Sequence, residues 1–323
     1  MITLTINGQK VTAEEGMSIL DAALAHGIEI PALCHDPNLK PESSCRLCLV
    51  EVDGRRWPRV ACGTPVRDGM VVETNTPEIR ATRREILQLL LDNHPNDCLT
   101  CQKAGECLLQ KYAYEYGVTF RTHNGARRGS EKARFTDTSS PYILRDESKC
   151  ILCGKCISTC AALNERSVLS FAGRGFETKV AADRDETLEA STCVSCSRCV
   201  AVCPVGALID RRVREKKIRP WDADRQTIQC KACEYGCEYE VLEKGNERVI
   251  RPLAPSGGRP LCLKGRLYVE AEVSSDLRIP YKKKETDKGR KFVRTSWVEA
   301  LELDQILDRI AYTESESGKG RAK

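Results

Sequence analysis

Residues 150–160 read CILCGKCISTC, and residues 193–203 read CVSCSRCVAVC. Both segments have the spacing C-x2-C-x2-C-x3-C, so the chain contains an approximate duplication with a period of 43 residues. Three cysteines at this spacing can surround three corners of an iron-sulfur cubane, and in two-cluster ferredoxins the fourth cysteine of each run binds the other cluster. The duplication therefore predicts two 4Fe-4S sites. Their predicted ligands are Cys150, Cys153, Cys156 and Cys203 for one cluster, and Cys193, Cys196, Cys199 and Cys160 for the other.

Zinc is the alternative for these two segments, since pairs of cysteines separated by two residues also bind zinc tetrahedrally. Pro204 follows Cys203, as the bacterial ferredoxin pattern expects, whereas Ala161 follows Cys160 and departs from it. Two complete triplets at cubane spacing favour iron-sulfur clusters over zinc.

The other cysteines also fall into groups of four. The chain has 19 cysteines and 4 histidines, and one histidine, His94, completes the only group that has three cysteines. Five tetrads predict five clusters and an electron-conducting protein. The three further groups are Cys34, Cys45, Cys48 and Cys62; His94, Cys98, Cys101 and Cys107; and Cys230, Cys233, Cys237 and Cys262.

The first group has looser spacing than plant-type ferredoxins, and the preceding residues decide its interpretation. Residues 2–6 alternate apolar and polar side chains, Asn7-Gly8 predicts a hairpin turn, and Ser18 with Asp21 predicts a capped helix. This opening is typical of a β-grasp domain. We therefore predict a 2Fe-2S cluster on the loops that follow, with a zinc knuckle as the alternative.

The second and fifth groups are less specific by spacing alone. Thr76-Pro77 predicts the start of a helix, and His94 stands before Pro95, where that helix must give way to a loop. A histidine there can also simply bond a helix-end carbonyl, but three cysteines without it would make an incomplete 4Fe-4S site. The fifth group, with the spacing C-x2-C-x3-C-x24-C, could alternatively form a zinc ribbon.

Composition excludes several classes of protein. An odd number of cysteines and the lack of a basic and apolar leader disfavour a secreted disulfide protein, so we expect a cytoplasmic location. No apolar stretch is long enough for a transmembrane helix. The net charge of +5 counts every cysteine as neutral, and anionic clusters would offset it, so we do not expect nucleic-acid binding. Motifs for nucleotides, flavin or hydrolytic catalysis are absent from the sequence.

The order of these sites resembles the N-terminal half of the iron-sulfur large subunit of complex I-type NADH dehydrogenase. It also resembles the N-terminal part of NAD(P)-dependent formate dehydrogenase alpha subunits and, over the first four sites, FeFe-hydrogenase large subunits. In those formate dehydrogenases the fifth site opens a molybdopterin domain, and the lysine that corresponds to Lys264 lies between cluster and pterin. Residues 278–280 and 295–301 resemble the start of that domain, but only 61 residues follow Cys262.

The resemblance and the motifs together imply an α+β, multi-module iron-sulfur protein with one 2Fe-2S and four 4Fe-4S clusters. We expect an electron-transfer subunit without catalysis of its own, in a soluble NAD(P)(H)-linked oxidoreductase complex, with an electron-bifurcating enzyme among the candidate complexes. Its implied partners are a flavin-containing NAD(P)(H)-binding subunit and either ferredoxin or a separate catalytic subunit. The alternative is a truncated or split formate dehydrogenase alpha subunit. The expected modules are 1–77 (β-grasp 2Fe-2S), 78–120 (helical, one histidine and three cysteines), 140–215 (two 4Fe-4S ferredoxin repeats), 223–280 (4Fe-4S of molybdopterin-oxidoreductase type) and 281–323 (short helix and disordered tail).

Overall fold

The computed structural model describes residues 1–95, 97–123, 135–163, 165–253, 261–273, 280–286 and 289–300. The chain divides into two units, Met1–Arg266 and Leu267–Lys323. All twenty predicted ligands lie in the first unit. None of the 19 cysteines forms a disulfide.

The N-terminal module is a helix packed on a mixed five-stranded sheet with the strand order β2-β1-β5-β3-β4, in which β1 and β5 are parallel. Asn7 and Gly8 form the predicted hairpin turn with positive φ angles of 50° and 77°, and Ser18 caps the predicted helix by accepting from the Asp21 amide at 3.1 Å. The elements are β1 (Ile2–Ile6), β2 (Gln9–Ala13), α1 (Ile19–Ala25), β3 (Leu49–Val52), β4 (Arg59–Val60) and β5 (Val71–Glu73).

Two helices follow, α2 (Pro77–Asp92) and α3 (Leu108–Glu115). Thr76 caps α2 by accepting from the Ile79 amide at 3.3 Å, and Pro77 takes the first helical position, where its missing N–H costs nothing. The helix ends at Asp92, two residues before His94, so His94 lies on the loop as predicted.

The duplicated segments form two matching cysteine loops, each leading into a short helix. Leu152 and Ser195 have φ angles of 56° and 52°, and Gly154 and Ser197 have φ angles of 80° and 62°, so the two loops share their left-handed positions. The first helix continues into a π-helical turn over 159–163, whereas the second ends before Pro204, which cannot continue a helix. The elements are β6 (Thr136–Asp137), β7 (Ile143–Asp146), α4 (Lys155–Ser158), β8 (Leu169–Ala172), β9 (Lys179–Ala182), α5 (Arg198–Val202) and β10 (Leu208–Asp210).

The fifth cysteine group lies beside a three-stranded antiparallel sheet of β11, β12 and β13. The predicted helix from Trp297 is described as far as Ala300, and its remainder lies outside the described residues, as does the tail over 301–323. The elements are α6 (Arg211–Glu215), β11 (Asp224–Gln229), β12 (Glu238–Lys244), β13 (Glu247–Pro252), α7 (Leu263–Val273), β14 (Tyr281–Thr286), β15 (Gly289–Arg294) and α8 (Trp297–Ala300). No helix in the described ranges is long and apolar enough to cross a membrane.

Candidate metal centres

The four cysteines of the first group are in direct side-chain contact. Hydrogen bonds from the thiols of Cys45 and Cys62 lower the pKa of Cys34, and a hydrogen bond from Cys62 lowers the pKa of Cys48 to about 7. The Leu33 amide donates to the Cys45 Sγ at 3.5 Å. Sulfur atoms that share protons so closely are placed to share a metal centre once those protons leave, since metal ligation requires thiolates.

The second group is arranged around a buried histidine. His94 is 7% exposed, and its Nδ1–H donates to the Pro95 carbonyl at 2.9 Å, which leaves the lone pair on Nε2. Burial lowers the pKa of His94 and favours the neutral imidazole that metal ligation needs. Burial, together with negative charge at Cys101, raises the pKa of Cys107 to about 11.

Gly206 leaves space for this second group, although it lies about a hundred residues further along the chain. A Cβ atom at this position would stand 2.8 Å from the Cys101 Sγ, closer than real Cβ contacts allow. The glycine is therefore required for the position of that sulfur atom, and nothing in the sequence pattern around it had indicated this role.

The third and fourth groups surround two separate small cavities. Each cavity receives three cysteines from one loop and the last cysteine of the other loop. The structure thus brings the side chains together in the crossed arrangement that the spacing predicted. The first cavity is lined by Cys150, Cys153, Cys156 and Cys203, and the second by Cys160, Cys193, Cys196 and Cys199.

Backbone amides point at sulfur atoms in both duplicated loops. The Leu152 amide donates to the Cys150 Sγ and the Ser195 amide to the Cys193 Sγ, both at 3.4 Å. Burial raises the pKa of Cys153 to about 12 and that of Cys199 well above its ordinary value. The positive charge of the iron ions would offset the cost of holding such buried thiols as thiolates.

The fifth group is partly assembled around Gly265 and Tyr239. The Gly265 amide donates to the Cys262 Sγ at 3.3 Å, and the Cys230 amide donates to the Cys237 carbonyl at 2.8 Å. The pKa of Tyr239 is raised by burial and by negative charge at the same three cysteines. Cys233 is exposed on the loop between β11 and β12, and Lys264 is exposed at the start of α7.

The spacing of the side chains bears on the choice between zinc and clusters. Among the described residues, no three or more histidine, cysteine or carboxylate side chains are placed to hold a metal ion by themselves. Thiolates around a cubane bind separate irons and stand farther apart than the four ligands of one zinc ion. Each crossed cavity is lined by four sulfur donors, the ligand set of a 4Fe-4S cluster.

Neighbouring sites are joined by direct contacts. Ser44 Oγ, beside Cys45, donates to the Cys153 carbonyl at 3.1 Å, which joins the first site to the third. The Leu108 amide, beside Cys107, donates to the Pro204 carbonyl at 2.9 Å, which joins the second site to the third. Burial and nearby negative charge, including that of Cys203, raise the pKa of Cys199, so the third and fourth sites are also adjacent.

The fourth and fifth sites are joined through Arg266, which is 1% exposed. Its Nη1–H donates to the Ser197 Oγ at 2.8 Å, and Ser197 lies between Cys196 and Cys199. Its Nη2 pairs with the buried carboxylate of Asp210, and the guanidinium stacks on the Tyr142 ring at 4.1 Å. Because Arg266 is four residues from Cys262, this contact fixes the last cysteine loop against the duplicated segment.

Three family models match successive parts of the chain. They are a 2Fe-2S iron-sulfur cluster binding domain over residues 1–77, an NADH-ubiquinone oxidoreductase-G iron-sulfur binding region over 83–121, and a 4Fe-4S dicluster domain over 144–207. A solved chain of an NAD+-reducing NiFe-hydrogenase is 32% identical, with a TM-score of 0.60, and the match covers 65% of this chain and 87% of that one. The chain belongs to the iron-sulfur family of the NADH-quinone oxidoreductase G subunits and their hydrogenase relatives.

Full-length G subunits and hydrogenase subunits also match this chain by sequence. The G 2 subunit of NADH-quinone oxidoreductase from Rhizobium meliloti is 36% identical over 99% of this chain and 37% of its own length. The NADP-reducing hydrogenase subunit HndD of Solidesulfovibrio fructosivorans is 43% identical over 65% of this chain and 36% of its own length. The chain thus spans about a third of the length of these relatives. It is a multi-module iron-sulfur protein of the G-subunit family, with 2Fe-2S and 4Fe-4S domains and mixed α and β structure.

Proposed function

We propose that this chain is an electron-transfer subunit of an NAD(P)H-linked oxidoreductase complex, carrying single electrons through one 2Fe-2S and four 4Fe-4S clusters. The contacts between successive cysteine groups are the observation that carries this proposal. The contacts described above, from that of Ser44 to that of Arg266, connect all five sites and give an electron a continuous path through the protein. Metal sites with a purely structural role would not need to lie next to one another. We place the protein in the cytoplasm, where a reducing environment keeps cysteines available for metals.

The ligand sets follow the predicted groups. Cys34, Cys45, Cys48 and Cys62 would hold the 2Fe-2S cluster, and His94 would complete the second site through Nε2. The crossed cysteine sets would hold the third and fourth clusters, and the C-terminal group would hold the fifth after Cys233 moves inward from its exposed position. The clusters supply the redox change, and the chain supplies thiolates, the imidazole and amide donors to sulfur that set the potentials.

The third site is the junction of this path. It adjoins the first site through Ser44 and the second through Pro204, and the fourth site continues from it toward the fifth. Electrons that enter at either the first or the second site would thus converge before they leave. A junction of two entries suits a complex that exchanges electrons with more than one carrier, such as an electron-bifurcating enzyme. We also propose the module boundaries 1–77, 78–120, 140–215, 223–280 and 281–323, and the last module has the strands β14 and β15 before the expected short helix.

The partners we propose are a flavin-containing NAD(P)(H)-binding subunit at one end, and ferredoxin or a separate catalytic subunit at the other. The names of the relatives support this assignment, since one is a subunit of an NADP-reducing hydrogenase and others belong to NADH-quinone oxidoreductases. A flavin accepts the two electrons of a hydride and passes them on singly, which is the form that iron-sulfur clusters carry.

A split formate dehydrogenase is the second candidate, and the surface of the fifth site favours it. Cys262 and Lys264 are both exposed, so a separate molybdopterin protein could approach this cluster with the lysine between the two cofactors. Under this assignment the chain has the same electron-transfer role but a different acceptor.

The test is anaerobic purification of the tagged chain from its native host, with iron analysis and mass spectrometry of the proteins that co-purify. We expect about 18 iron atoms per chain, the number that one 2Fe-2S and four 4Fe-4S clusters require. We also expect a flavin-containing nucleotide-binding chain in fixed ratio, and bleaching of the visible absorption when NADH or NADPH is added. Recovery with a molybdopterin protein instead would favour the second candidate. A colourless protein that contains zinc would contradict both.

A further inference from the structure

Arg198 is a buried cation in the wall of the fourth cavity. It stands between Cys196 and Cys199 in the sequence, is 1% exposed, and lines the cavity together with the four cysteines of this site. Its Nε and Nη1 atoms are buried, and neither has a hydrogen-bond acceptor among the described residues. A guanidinium keeps its charge in proteins, so the burial of these two N–H groups is costly unless an acceptor stands opposite them.

Carboxylates do not provide that acceptor. In the described ranges of the chain, no aspartate or glutamate forms an ion pair with Arg198. Asp36 acts on it only as a more distant charge, and burial outweighs that charge and lowers the pKa of Arg198. The remaining groups around this cavity are the cysteine sulfurs, apolar side chains and a second arginine, Arg166.

The third cavity also has an arginine in its wall, but that arginine has a carboxylate partner, although its Nε likewise has no hydrogen-bond acceptor among the described residues. Arg145 donates from Nη1 to the Val180 carbonyl at 2.9 Å and from Nη2 to the Glu186 carbonyl at 3.3 Å. It also forms a buried ion pair with Asp137 at 3.5 Å. The two cavities therefore differ in the arginine of their walls: the third faces an arginine paired with a carboxylate, and the fourth an arginine without a carboxylate partner.

We propose that Arg198 donates hydrogen bonds to the sulfur atoms of the cluster in the fourth site and raises its reduction potential above that of the third. This inference rests on the proposed function, since it requires a 4Fe-4S cluster in that cavity. Reduction adds one electron to the cluster, taken from its neighbour in the third site, and no proton moves because the guanidinium stays protonated. A buried cation and N–H donors to sulfur stabilise the more negative, reduced state, and net charge and hydrogen bonding are known determinants of cluster potential.

The proposal gives the path a direction between these two sites. An electron that reaches the third site from either entry moves downhill in energy to the fourth. The cluster of the fourth site would then hold the electron before it passes to the fifth site.

The test compares Arg198→Met with the unaltered full chain by potentiometric titration monitored by electron paramagnetic resonance. Cys193→Ser identifies which signal belongs to the fourth site, because the changed ligand alters that signal. We expect Arg198→Met to lower the potential of this signal by at least a tenfold change in the reduction equilibrium, which is about 59 mV for one electron. Arg198→Lys, which keeps the charge, should recover part of the shift, and Arg184→Met, at an exposed position, should leave it unchanged.

Iron content separates this role from a purely structural one. Arg198→Met with the iron of the unaltered chain and an unshifted signal would overturn the proposal and leave the proposed function intact. If Arg198→Met loses the iron of the fourth site, Arg198→Gln decides: a lowered potential supports the proposal, and an unshifted one overturns it. An unaltered chain that contains zinc instead of iron would overturn the proposed function itself.

Discussion

His94 is the one predicted ligand that is not a cysteine, and its ring orientation is set by the bond from Nδ1 to the Pro95 carbonyl. We predict that His94→Cys keeps the cluster of the second site but lowers its potential, since a thiolate adds negative charge where the imidazole is neutral. His94→Ala should lose about four irons per chain. Iron analysis and redox titration check both variants, and His123→Ala, at an exposed histidine, is the matched control. Full iron content in His94→Ala would show that His94 is not a ligand.

The next prediction concerns Gly206, where the substitution adds atoms beside the second site instead of removing a ligand from it. Gly206→Val places a side chain where even a Cβ would stand 2.8 Å from the Cys101 Sγ, so we expect the second site to lose its cluster, about four irons per chain. The loss of its spectroscopic signal and of the iron measures the effect. Gly245→Asn is the control, since that glycine has open space around it and asparagine tolerates its φ of +59°. Unchanged iron content in Gly206→Val would contradict a close approach at this point.

Helix α2 supports the first site through one buried side chain. Arg83 is 2% exposed and donates to the carbonyls of Leu47 and Leu49, at 3.0 and 2.7 Å, and to the hydroxyl of Tyr116 at 2.8 Å. Leu47 lies between Cys45 and Cys48, so the helix fixes the loop that would carry the proposed 2Fe-2S cluster.

We predict that Arg83→Met destabilises this module by about 2–4 kcal/mol, since it leaves buried acceptors without their donor. Denaturant unfolding followed by the visible circular dichroism of the 2Fe-2S cluster measures the change. Arg84→Met is the matched control, because the neighbouring arginine is exposed and should change stability by less than about 0.5 kcal/mol. Equal midpoints for the two variants would argue against the support we assign to Arg83.

The structural features that the sequence predicted are those that depend on residues close to one another in the chain. The hairpin at Asn7-Gly8, the caps at Ser18 and Thr76 and the crossed cysteine sets depend on residues close together or on spacing within one motif. The roles of Gly206 and Arg198 depend on contacts with other segments of the chain. The residues next to them in the sequence do not indicate which segments those are. The exposed position of Cys233 was also not predictable, because it depends on how the loop before β12 folds.

At the scale of the whole molecule, the two main cores depend on clusters to different degrees. The core of the N-terminal module is built mainly from aliphatic side chains of its sheet and α1, such as Leu4, Ile6 and Leu20. The core around the duplicated segments includes Cys156 and Cys203 and packs against further cysteines of both crossed sets. Coordination must therefore supply much of the stability of the second core.

We predict that removal of iron by a chelator under anaerobic conditions unfolds the duplicated segment first. Hydrogen exchange followed by mass spectrometry should show loss of amide protection in residues 143–210, while β1 and β2 keep most of theirs. The expected order follows from the share of cysteines in each core: the N-terminal core includes Cys48 and Cys62 among many aliphatic side chains, whereas eight of the predicted cysteine ligands belong to the other core or pack against it. Simultaneous loss of protection in both regions would contradict it and would indicate that the modules unfold as one cooperative unit.

The crossed cysteine sets have a consequence for how the protein is made. With Cys203 among its proposed ligands, the third site is incomplete until 53 residues after Cys150 have been translated. The fourth site likewise combines Cys160 with cysteines that leave the ribosome later. At about 5–20 residues per second, the early cysteines are exposed for several seconds before their partners arrive. Delivery of iron and sulfide to these two sites must therefore wait for synthesis of the whole duplication, and during that interval the nascent thiols are open to oxygen.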